Sequence, residues 1–488
     1  MSEVLDYLIV GGGVVGCNIA RELSRFDLKT VLCEKECDVA MGTSGRNSGV
    51  AHAGFYMIPK TLKAELNVRG HQMLPALCEE IGAQYNVIGK LVVAEKDDEI
   101  PYLLKLKRQG EINGTQGLRL IDADEVSKIE PNIRALKALY SPTSAILDPF
   151  QLTIGLAENA LINGARIELN TEVLEIKHHE DYFTVETNKG SYKTRNIINS
   201  AGLYADKISA LAGVEGYRIY PCRGEYHVLD KGVGHLLNTL VYPVPPKDSG
   251  GLGVHLTPTV DGNIMLGPSA DYINEPCDLA NTPDVMNQLL DEARLMLPAL
   301  KRKDFIRSFA GNRPKLIPTS SNETVDYVIK EEYEGFINLV GIESPGLTAA
   351  PAIAERVIGL IKKRDELIEK KSFNPKRDKP VRFSRLTDEQ KARLIAAEPA
   401  YGQIVCRCET VTKKEVLDAL HNPLGAKSIN SIKIRSRASM GRCQGGFCWP
   451  KIVQLIEDEL KPELKDIRLC GAGSNMFIGK TKDLRRIK

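Results

Sequence analysis

Four cysteines near the C-terminus have the spacing of a metal or cluster site. Residues 409–442 separate the pair Cys406 and Cys408 from the pair Cys443 and Cys448. Such Cys-x-Cys and Cys-x4-Cys pairs are less typical of zinc fingers, and thiolates also hold [2Fe–2S] clusters. The spacing is compatible with an iron–sulfur cluster, with zinc and an empty site as the alternatives. Backbone N–H groups could approach cluster sulfurs at three neighbouring glycines, Gly441, Gly445 and Gly446.

A glycine turn near the N-terminus has the pattern of a dinucleotide site. Residues 11–16 fit G-x-G-x-x-G, between an apolar strand-like run and a helical pattern. In this context the glycines permit a tight turn, close approach of the backbone to a pyrophosphate, and close packing of the helix on the strand. An acidic residue at the end of the next strand would accept hydrogen bonds from ribose hydroxyls. The motif predicts contacts from Gly11, Gly13, Val14, Val15, Gly16, Glu34 and Lys35.

Three glycine-spaced passages further along the chain favour FAD over NAD. They cover residues 42–54, 199–206 and 341–348. Each lets backbone amides approach a flat ring system. The helix after the third could direct its N-terminus at the pyrimidine side of a flavin and stabilise the anionic reduced ring. The cofactor-binding residues predicted from these passages are Thr43, Ser44, Asn47, Ser48, Gly49, Ala201, Gly202, Gly341, Gly346, Leu347 and Thr348.

Two histidines and one arginine are candidates for chemistry at the ring. Oxidation of an alcohol needs a group that takes the hydroxyl proton as hydride leaves for flavin N5, and cations that orient an anionic substrate. His52 is the first choice of base because histidine titrates near neutral pH, and His255 could share that role. Arg313 is the candidate anion clamp, because its fork suits carboxylate or phosphate. A structural role is the alternative for each, and we expect one for Tyr56, Lys63 and Arg223.

Length and composition describe a multidomain globular protein. The chain has 488 residues, which is too long for one core, with 43% hydrophobic and 26% charged residues. The net charge of +2 argues against wholesale nucleic-acid binding. We recognise neither a signal peptide nor an apolar stretch of the roughly 18 residues that a membrane span needs. A cytoplasmic protein without a transmembrane segment is therefore expected.

The alternation of apolar runs, turns and helical patterns predicts separate domains. A discontinuous α/β nucleotide-binding domain is interrupted by a mostly β substrate-binding domain, and a Lys-, Pro- and Glu-rich linker leads to a small four-cysteine domain. The expected ranges are 1–85, 140–215 and 336–365 for the first domain, 86–139 and 216–335 for the second, 366–395 for the linker, and 396–488 for the last.

Two family resemblances support this organisation. The glycine passages resemble those of the D-amino-acid-oxidase-like flavoproteins over roughly residues 5–365. This implies FAD and an α/β fold, with a Rossmann-like FAD-binding domain that carries an inserted β-rich substrate domain. The four-cysteine segment resembles the [2Fe–2S] domain of bacterioferritin-associated ferredoxin. A domain of this kind also ends the large subunit of anaerobic glycerol-3-phosphate dehydrogenases.

Two families compete for the substrate. Segments 52–56, 223–226, 242–245 and 252–262 resemble L-2-hydroxyglutarate dehydrogenase. The flavin domain followed by a four-cysteine module instead resembles anaerobic glycerol-3-phosphate dehydrogenase. Glycerol-3-phosphate enzymes carry a lysine in the last flavin turn, whereas residues 343–347 contain none. We favour glycerol 3-phosphate because the cluster module is the rarer feature, with a 2-hydroxy acid second and an amine third.

A cluster in the same chain as a flavin favours export of electrons. An oxidase returns electrons to oxygen and needs no iron–sulfur relay, so we expect a dehydrogenase acting on a small anionic secondary alcohol. Its acceptor would be a partner protein, such as a second flavoprotein, within a hetero-oligomer. The alternative is a non-catalytic electron-transfer subunit, against which His52 and Arg313 argue.

Overall fold

A mostly parallel β-sheet forms the centre of the larger part of the molecule. The computed structural model describes residues 3–245, 253–316, 325–479 and 481, so Leu252 and small parts of the expected domains lie outside it. Five neighbouring strands of this first sheet run parallel, in the order Phe336–Val340, Gly190–Asn199, Val4–Val10, Thr30–Cys33 and Arg166–Glu168. Antiparallel strands extend it at Val173–His178, Phe183–Thr187 and Val328–Tyr333.

The parallel strands end at one edge of the sheet. Val10 is in register with both Cys33 and Asn199, and Asn199 with Asn338. The segments that follow these strands therefore emerge side by side. In open α/β sheets, ligands bind in the crevice outside the carboxyl ends of such strands. The fold thus places the glycine turn and the two later passages, 199–206 and 341–348, beside one another.

A layer of four helices packs on one face of the first sheet. They are Val14–Leu23, Leu62–Ile81, Pro149–Ile162 and Gly346–Ile361. Their buried side chains form one core with inward strand residues such as Ile9 and Leu32. The second and fourth helices touch closely, because a methyl group on Gly70 would overlap the carbonyl oxygen of Thr348 and lie 2.9 Å from Ala349 Cα. The helix Ala205–Leu211 covers the opposite face.

A second, mostly antiparallel sheet stands over the carboxyl edge of the first. It has its own core with the helix Pro283–Met296, and the helices Ile100–Asn113 and Ala123–Ile129 pack at its other end. A small third sheet joins Val50–Ala51, Tyr85–Val87 and Ala145–Leu147. The strands of the second sheet are Lys90–Ala94, Arg119–Asp122, Lys137–Ser141, Ile219–Leu229, Leu240–Pro243, His255–Pro258, Ile264–Gly267, Asp271–Tyr272 and Phe305–Leu316.

The C-terminal residues form a small module with a separate core. A connecting segment precedes it and lies along the ends of the helices that pack on the first sheet, where Lys370 N–H donates to Arg25 O at 2.7 Å and Arg377 N–H to Glu80 O at 3.0 Å. The module is called the cluster module below. Its elements are the helices Asp388–Ala397, Lys413–Leu420, Ile429–Ser436 and Trp449–Leu460, and the paired strands Ile404–Cys406 and Val411–Thr412.

The α/β fold with an inserted β-rich part is confirmed. One strand differs from the expectation: Val328–Tyr333 falls in the range assigned to the substrate domain but pairs with Phe336–Val340 in the first sheet. A short turn joins the two strands into a hairpin. The composition of the region does not distinguish Val328–Tyr333 from the strands of the substrate domain. The exact domain limits stay a prediction. Among the described helices, none combines the length and the apolar character that crossing a membrane requires.

Candidate functional site

A large cavity lies between the first and second sheets, at the carboxyl edge of the parallel strands. Its volume is about 1310 Å³. Both candidate histidines, His52 and His255, and Arg313 line it. It is also lined by most of the residues predicted to bind the cofactor, namely Gly11, Gly13, Val14, Val15, Glu34, Lys35, Thr43, Ser44, Asn47, Ser48, Ala201, Gly202, Gly346 and Leu347.

The glycine turn has the geometry that its motif predicts. Gly11 has a φ of +106°, and a methyl group there would lie 2.7 Å from the carbonyl oxygen of Ser200. A methyl on Gly16 would overlap Gly11 O and lie 2.6 Å from Ser200 Oγ. Gly16 does not line the cavity; it lets the first helix pack against the strand behind the turn. The turn leads into a helix N-terminus that lines the cavity, where the dipole favours an anion and where Val14 N–H donates to Ser44 Oγ at 2.9 Å.

Glu34 lies at the end of the second strand, as the dinucleotide motif requires. Its Oε2 accepts from Gly12 N–H at 2.6 Å and its Oε1 from Glu36 N–H at 2.8 Å. Burial raises the pKa of Glu34, while these two backbone donors oppose the rise. Each carboxylate oxygen can accept a further hydrogen bond, so a ribose hydroxyl fits beside it. The residues present therefore fit an adenine dinucleotide.

Three other predicted cofactor residues lie behind the cavity wall. Gly49 and Gly341 form turns with φ of +67° and +72°. Thr348 is fully buried, and its Oγ1 accepts from His52 N–H at 3.0 Å and donates to Val50 O at 3.3 Å. The hydroxyl of Thr348 thus fixes the backbone of His52 to the fourth helix instead of reaching into the cavity.

A buried lysine adjoins the candidate base. Lys90 Nζ lies 3.3 Å from His52 Nδ1, and the Lys90 side chain is 0% exposed. Burial lowers the pKa of Lys90 to about 7. Burial also lowers the pKa of His52 well below its usual value, and the charges of Lys90, His255 and His71 add to this. His52 is therefore a neutral imidazole at neutral pH, the state that a proton acceptor needs.

Aromatic rings form the wall around this pair. Lys90 Nζ lies 4.0 Å from the ring centre of Tyr242 and 5.4 Å from that of Tyr56. His255 stacks on Tyr242 with ring centres 3.4 Å apart and an interplanar angle of 10°. Tyr56 and Tyr242 both line the cavity. These rings pack around Lys90, whereas His52 is half-buried and lines the cavity, and the stacking holds the His255 ring flat against the wall.

Positive side chains gather at another part of the cavity. Arg313 Nη2 donates to Ser269 O at 2.7 Å, which fixes the guanidinium in place. Lys63 Nζ lies 2.9 Å from Glu343 Oε1, and Lys315 Nζ lies 3.2 Å from Glu343 Oε2. Glu343 thus bridges two lysines at the turn before the fourth helix. The three cations can hold an anionic group, and Lys63, expected to be structural, belongs to this set.

Two of these residues were missed by the sequence reasoning. Lys315 carried a readable signal, because Arg313 and Lys315 are two positions apart on the strand Phe305–Leu316 and so share one face. Lys90 carried no signal in the sequence, because only the tertiary fold brings it next to His52. Arg223 is paired with Asp278 at 2.8 Å and is nearly buried, in agreement with the structural role expected for it.

The four cysteines meet in the cluster module. Cys406 Sγ lies 3.8 Å from Cys408 Sγ, which lies 3.8 Å from Cys443 Sγ. The interaction between the Cys406 and Cys448 thiols lowers the pKa of Cys448 and raises that of Cys406, which brings the fourth cysteine into the set. In the described part of the sequence, no three His, Cys, Asp or Glu side chains stand in a ready-made arrangement around one metal ion. Two thiolates on one tetrahedral metal atom are about 3.8 Å apart, so neighbouring cysteines of this set are spaced to share a metal atom.

Glycines leave room beside these sulfurs. A methyl group on Gly441 would lie 2.6 Å from Cys408 Sγ. Gly445 has a φ of +96° and faces the indole of Trp449. Trp449 packs on the module core, as expected. The residues present therefore fit a thiolate-bound cluster.

The cluster module is attached to the first sheet through buried contacts. Arg435 forms an ion pair with Asp38, in which Nη2 lies 2.9 Å from Oδ1, and both side chains are buried. Gln151 Nε2 donates to Ile434 O at 3.1 Å. The pKa of Lys433 falls to about 7 through burial and the nearby Arg307, Arg437 and Arg46. The module thus packs against the segment that carries Asp38 and against the helix Pro149–Ile162.

Comparison with known proteins agrees with both sites. Residues 6–360 match the family model described as FAD dependent oxidoreductase. Residues 404–458, which contain all four cysteines, match the BFD-like [2Fe-2S] binding domain.

Individual relatives cover one or both of these regions. The chain is 40% identical over 484 residues to a glycerol 3-phosphate dehydrogenase of Caloramator mitchellensis, covering 98% of this chain and 99% of that protein. It is 32% identical over 397 residues to the mitochondrial L-2-hydroxyglutarate dehydrogenase of Caenorhabditis elegans, covering 72% of this chain and 92% of that protein.

A solved structure shares the cofactor fold. It is the FAD-bound, dithionite-reduced L-alpha-glycerophosphate oxidase of Mycoplasma pneumoniae, with a TM-score of 0.72 and 34% identity, and the match covers 78% of this chain and 100% of that one. With the glycine cradle, the Glu34 carboxylate and the four thiols in place, the chain belongs to the FAD-dependent oxidoreductase family and carries a [2Fe–2S] binding domain at its C-terminal side.

Proposed function

We propose that the protein is a dehydrogenase that oxidises glycerol 3-phosphate to dihydroxyacetone phosphate and exports the electrons through its [2Fe–2S] cluster. One observation supports it above the others. The Caloramator mitchellensis glycerol 3-phosphate dehydrogenase aligns with the chain over 98% of its length, which includes the cluster module. The L-2-hydroxyglutarate dehydrogenase of Caenorhabditis elegans aligns over 72%.

His52 would act as the base in this reaction. Bound FAD supplies the acceptor for the hydride that leaves the alcohol carbon. Above pH 7 Lys90 is mostly a neutral amine and can accept a hydrogen bond from His52 Nδ1–H. Nε2 of His52 is then the nitrogen that takes the hydroxyl proton. The neutral state of His52 favours this transfer, because the unprotonated imidazole is the form that accepts a proton.

Arg313, Lys63 and Lys315 would hold the phosphate. The last flavin turn carries Glu343 instead of the lysine expected in a glycerol-3-phosphate enzyme. Glu343, however, holds two lysines from other elements at that same turn. Two ammonium groups and one guanidinium supply the charge and donors that a phosphate needs. The departure in sequence is therefore compensated in space.

L-2-Hydroxyglutarate, or another 2-hydroxy acid, is the second candidate substrate. It is favoured by the Caenorhabditis elegans relative, at 32% identity over 397 residues. It is also an anionic secondary alcohol, and a guanidinium such as that of Arg313 binds carboxylates as readily as phosphates. His52 would serve both substrates in the same way.

Anaerobic titration of the purified, cofactor-loaded protein separates these candidates. We expect glycerol 3-phosphate to bleach the flavin absorbance at roughly 450 nm. L-2-Hydroxyglutarate at the same concentration should leave it oxidised. Bleaching by the hydroxy acid alone would assign the second substrate. If neither compound nor an amino acid reduces the flavin, the chain is a non-catalytic electron-transfer subunit.

The four cysteines, Cys406, Cys408, Cys443 and Cys448, are the proposed cluster ligands. Iron and acid-labile sulfide should each amount to about two atoms per chain. Zinc in their place would contradict the electron relay. The acceptor would be a separate redox protein, for instance a second flavoprotein, joined to this chain in a hetero-oligomer in the cytoplasm.

A further inference from the structure

Two cysteines from opposite ends of the chain meet where the cluster module packs on the first sheet. Cys37 Sγ lies 3.7 Å from Cys470 Sγ. Cys37 Sγ also lies 3.8 Å from Oγ of Ser428, the cap of the helix Ile429–Ser436. Both cysteines are free thiols and partly exposed. Their sulfurs are therefore in contact with each other and within reach of small molecules.

The backbone on each side holds the contact in place. Cys37 follows Glu36, which lines the cavity at the end of the second strand. Cys470 belongs to a C-terminal hairpin that is tied to the cluster module, because Asn430 N–H donates to Leu469 O at 2.9 Å. The pair thus spans the boundary between the cofactor-binding loop and the cluster module.

The two thiols differ in their electrostatic state. The hydrogen bond with Cys37 lowers the pKa of Cys470 to about 6, and a hydrogen bond with the backbone of Gly471 also contributes. The same contact and burial raise the pKa of Cys37. At neutral pH Cys470 is consequently the thiolate, which is the nucleophilic form, and Cys37 is the thiol that donates to it.

We propose that Cys37 and Cys470 form a reversible disulfide by exchange with a low-molecular-weight disulfide, and that this bond fastens the cluster module to the first sheet. The Cys470 thiolate attacks one sulfur of the small disulfide, forming a mixed disulfide and releasing a thiolate. Cys37 then loses its proton to solvent, and its sulfur attacks Cys470 Sγ and releases the second thiolate. Two electrons pass from the protein thiols to the small disulfide, which leaves as two thiols.

The geometry needs little change for this bond to form. A disulfide has an S–S distance of about 2.05 Å, so side-chain rotation can close the remaining gap. The bond would join positions separated by 433 residues, beside the buried Asp38–Arg435 ion pair. It would oppose separation of the cluster module from the loop at Glu34–Glu36. The inference does not depend on which alcohol is the substrate.

Peptide mapping of the protein loaded with both cofactors tests the inference. The protein is held anaerobically in mixtures of reduced and oxidised glutathione, alkylated, and digested without reductant. We expect a peptide containing Cys37 linked to one containing Cys470, increasing with the oxidised fraction and lost in excess thiol. The visible spectrum of the cluster should stay constant, which shows that its own cysteines are not consumed. Absence of the linked peptide in the most oxidising mixture would refute the disulfide.

Matched variants give a second readout. Cys37→Ser and Cys470→Ser should abolish the linked peptide, whereas Cys277→Ser, at an exposed cysteine, should leave it unchanged. Oxidised wild-type protein should unfold at a higher urea concentration than reduced protein, and Cys470→Ser should show no such difference. If the linked peptide forms but oxidation does not raise the urea concentration at which the wild type unfolds, the disulfide does not fasten the module.

Discussion

His52 carries the proposed proton transfer, and its replacement separates chemistry from binding. We expect His52→Asn to slow anaerobic flavin reduction by about 10²–10⁴-fold, because a positioned base contributes that much. Affinity for substrate should change little, since the anion is held elsewhere. Stopped-flow measurement of flavin bleaching against substrate concentration reports both quantities. His235→Asn, at an exposed histidine, should behave as wild type; an unchanged rate in His52→Asn would remove it from the mechanism.

Lys315 tests the anion-binding part of the cavity. A hydrogen bond to a charged group is worth about 1.5–3 kcal/mol, so Lys315→Met should raise KM for glycerol 3-phosphate roughly 10- to 100-fold while kcat changes less. Steady-state kinetics with an artificial electron acceptor measure the two constants. Lys301→Met, which removes an exposed lysine, is the control. A fall in kcat at unchanged KM would place Lys315 outside substrate binding.

Lys90 makes stability depend on pH. Its pKa is about 7 in the folded protein against 10.5 when exposed, so the unfolded chain holds a proton that the folded chain releases between these values. Stability must therefore rise with pH from about 7 to about 10 through this group. Lys90→Met keeps the length of the side chain and removes the charge. Urea titrations measure the free energy of unfolding of the wild type and of Lys90→Met at each pH. We expect the difference, wild type minus variant, to increase from about pH 7 to about pH 10. A difference that stays constant would mean that Lys90 is solvated.

Among single residues, the sequence identifies the ones that belong to a local motif. Gly11, Gly16 and Glu34 belong to one strand–turn–helix unit, so their spacing predicts their contacts. Lys90 could not be found this way, because its meeting with His52 depends on how the second sheet packs on the first. Thr348 was assigned to the cofactor for a similar reason: its position at the helix start was right, but its hydroxyl turns back to His52 N–H.

At the scale of elements, the contact between the second and fourth helices supports the position of His52. Gly70→Ala would push its methyl group into Thr348 O, whose residue holds the His52 backbone. We expect a loss of about 1–3 kcal/mol in the free energy of unfolding, as for other overpacked sites. Flavin reduction should also become slower.

Gly359→Ala provides the matched control for this contact. Gly359 lies in the fourth helix and faces open space. The same substitution there should stabilise the protein by about 0.5–1 kcal/mol, because alanine loses less freedom in a helix. Urea denaturation of both variants checks the comparison. Equal effects at the two positions would show that the helix contact is not tight.

The elements of the first sheet were the most predictable, since apolar runs and glycine turns mark parallel strands directly. Val328–Tyr333 was the exception, because it reads as one more strand in a β-rich region. Only its pairing with Phe336–Val340 reveals the sheet to which it belongs. Pairing between strands is decided by tertiary packing, which a single sequence does not encode in its local pattern.

At the scale of the whole molecule, the Asp38–Arg435 ion pair couples the cluster module to the cofactor-binding part. Asp38→Ala leaves the buried Arg435 with only the more distant Glu158, whose Oε1 lies 3.8 Å from Nε, and breaking a buried ion pair typically costs about 3–5 kcal/mol. We expect substrate to reduce the flavin at a normal rate, while transfer to the cluster and to an external acceptor slows. Rapid-mixing spectroscopy at flavin and cluster wavelengths separates the two steps.

A compensating variant distinguishes this coupling from general damage. Asp38→Leu combined with Arg435→Met replaces the ion pair by apolar side chains of similar size, which is often neutral for stability. Electron transfer should recover in the double variant. Continued failure of the transfer would mean that the charges themselves, and not the attachment of the module, are required. The sequence predicted a cluster module but not its attachment, since these two residues are 397 positions apart.

The bridge from Glu343 to Lys63 and Lys315 has a consequence for hydration. Both lysines are already stripped of much of their water and held by a carboxylate before any substrate arrives. In the proposed reaction, an incoming anion would replace that carboxylate as the partner of the two lysines, so its binding would not require two free ammonium ions to lose their water. Release of the anionic product would return both lysines to Glu343 instead of to bulk solvent.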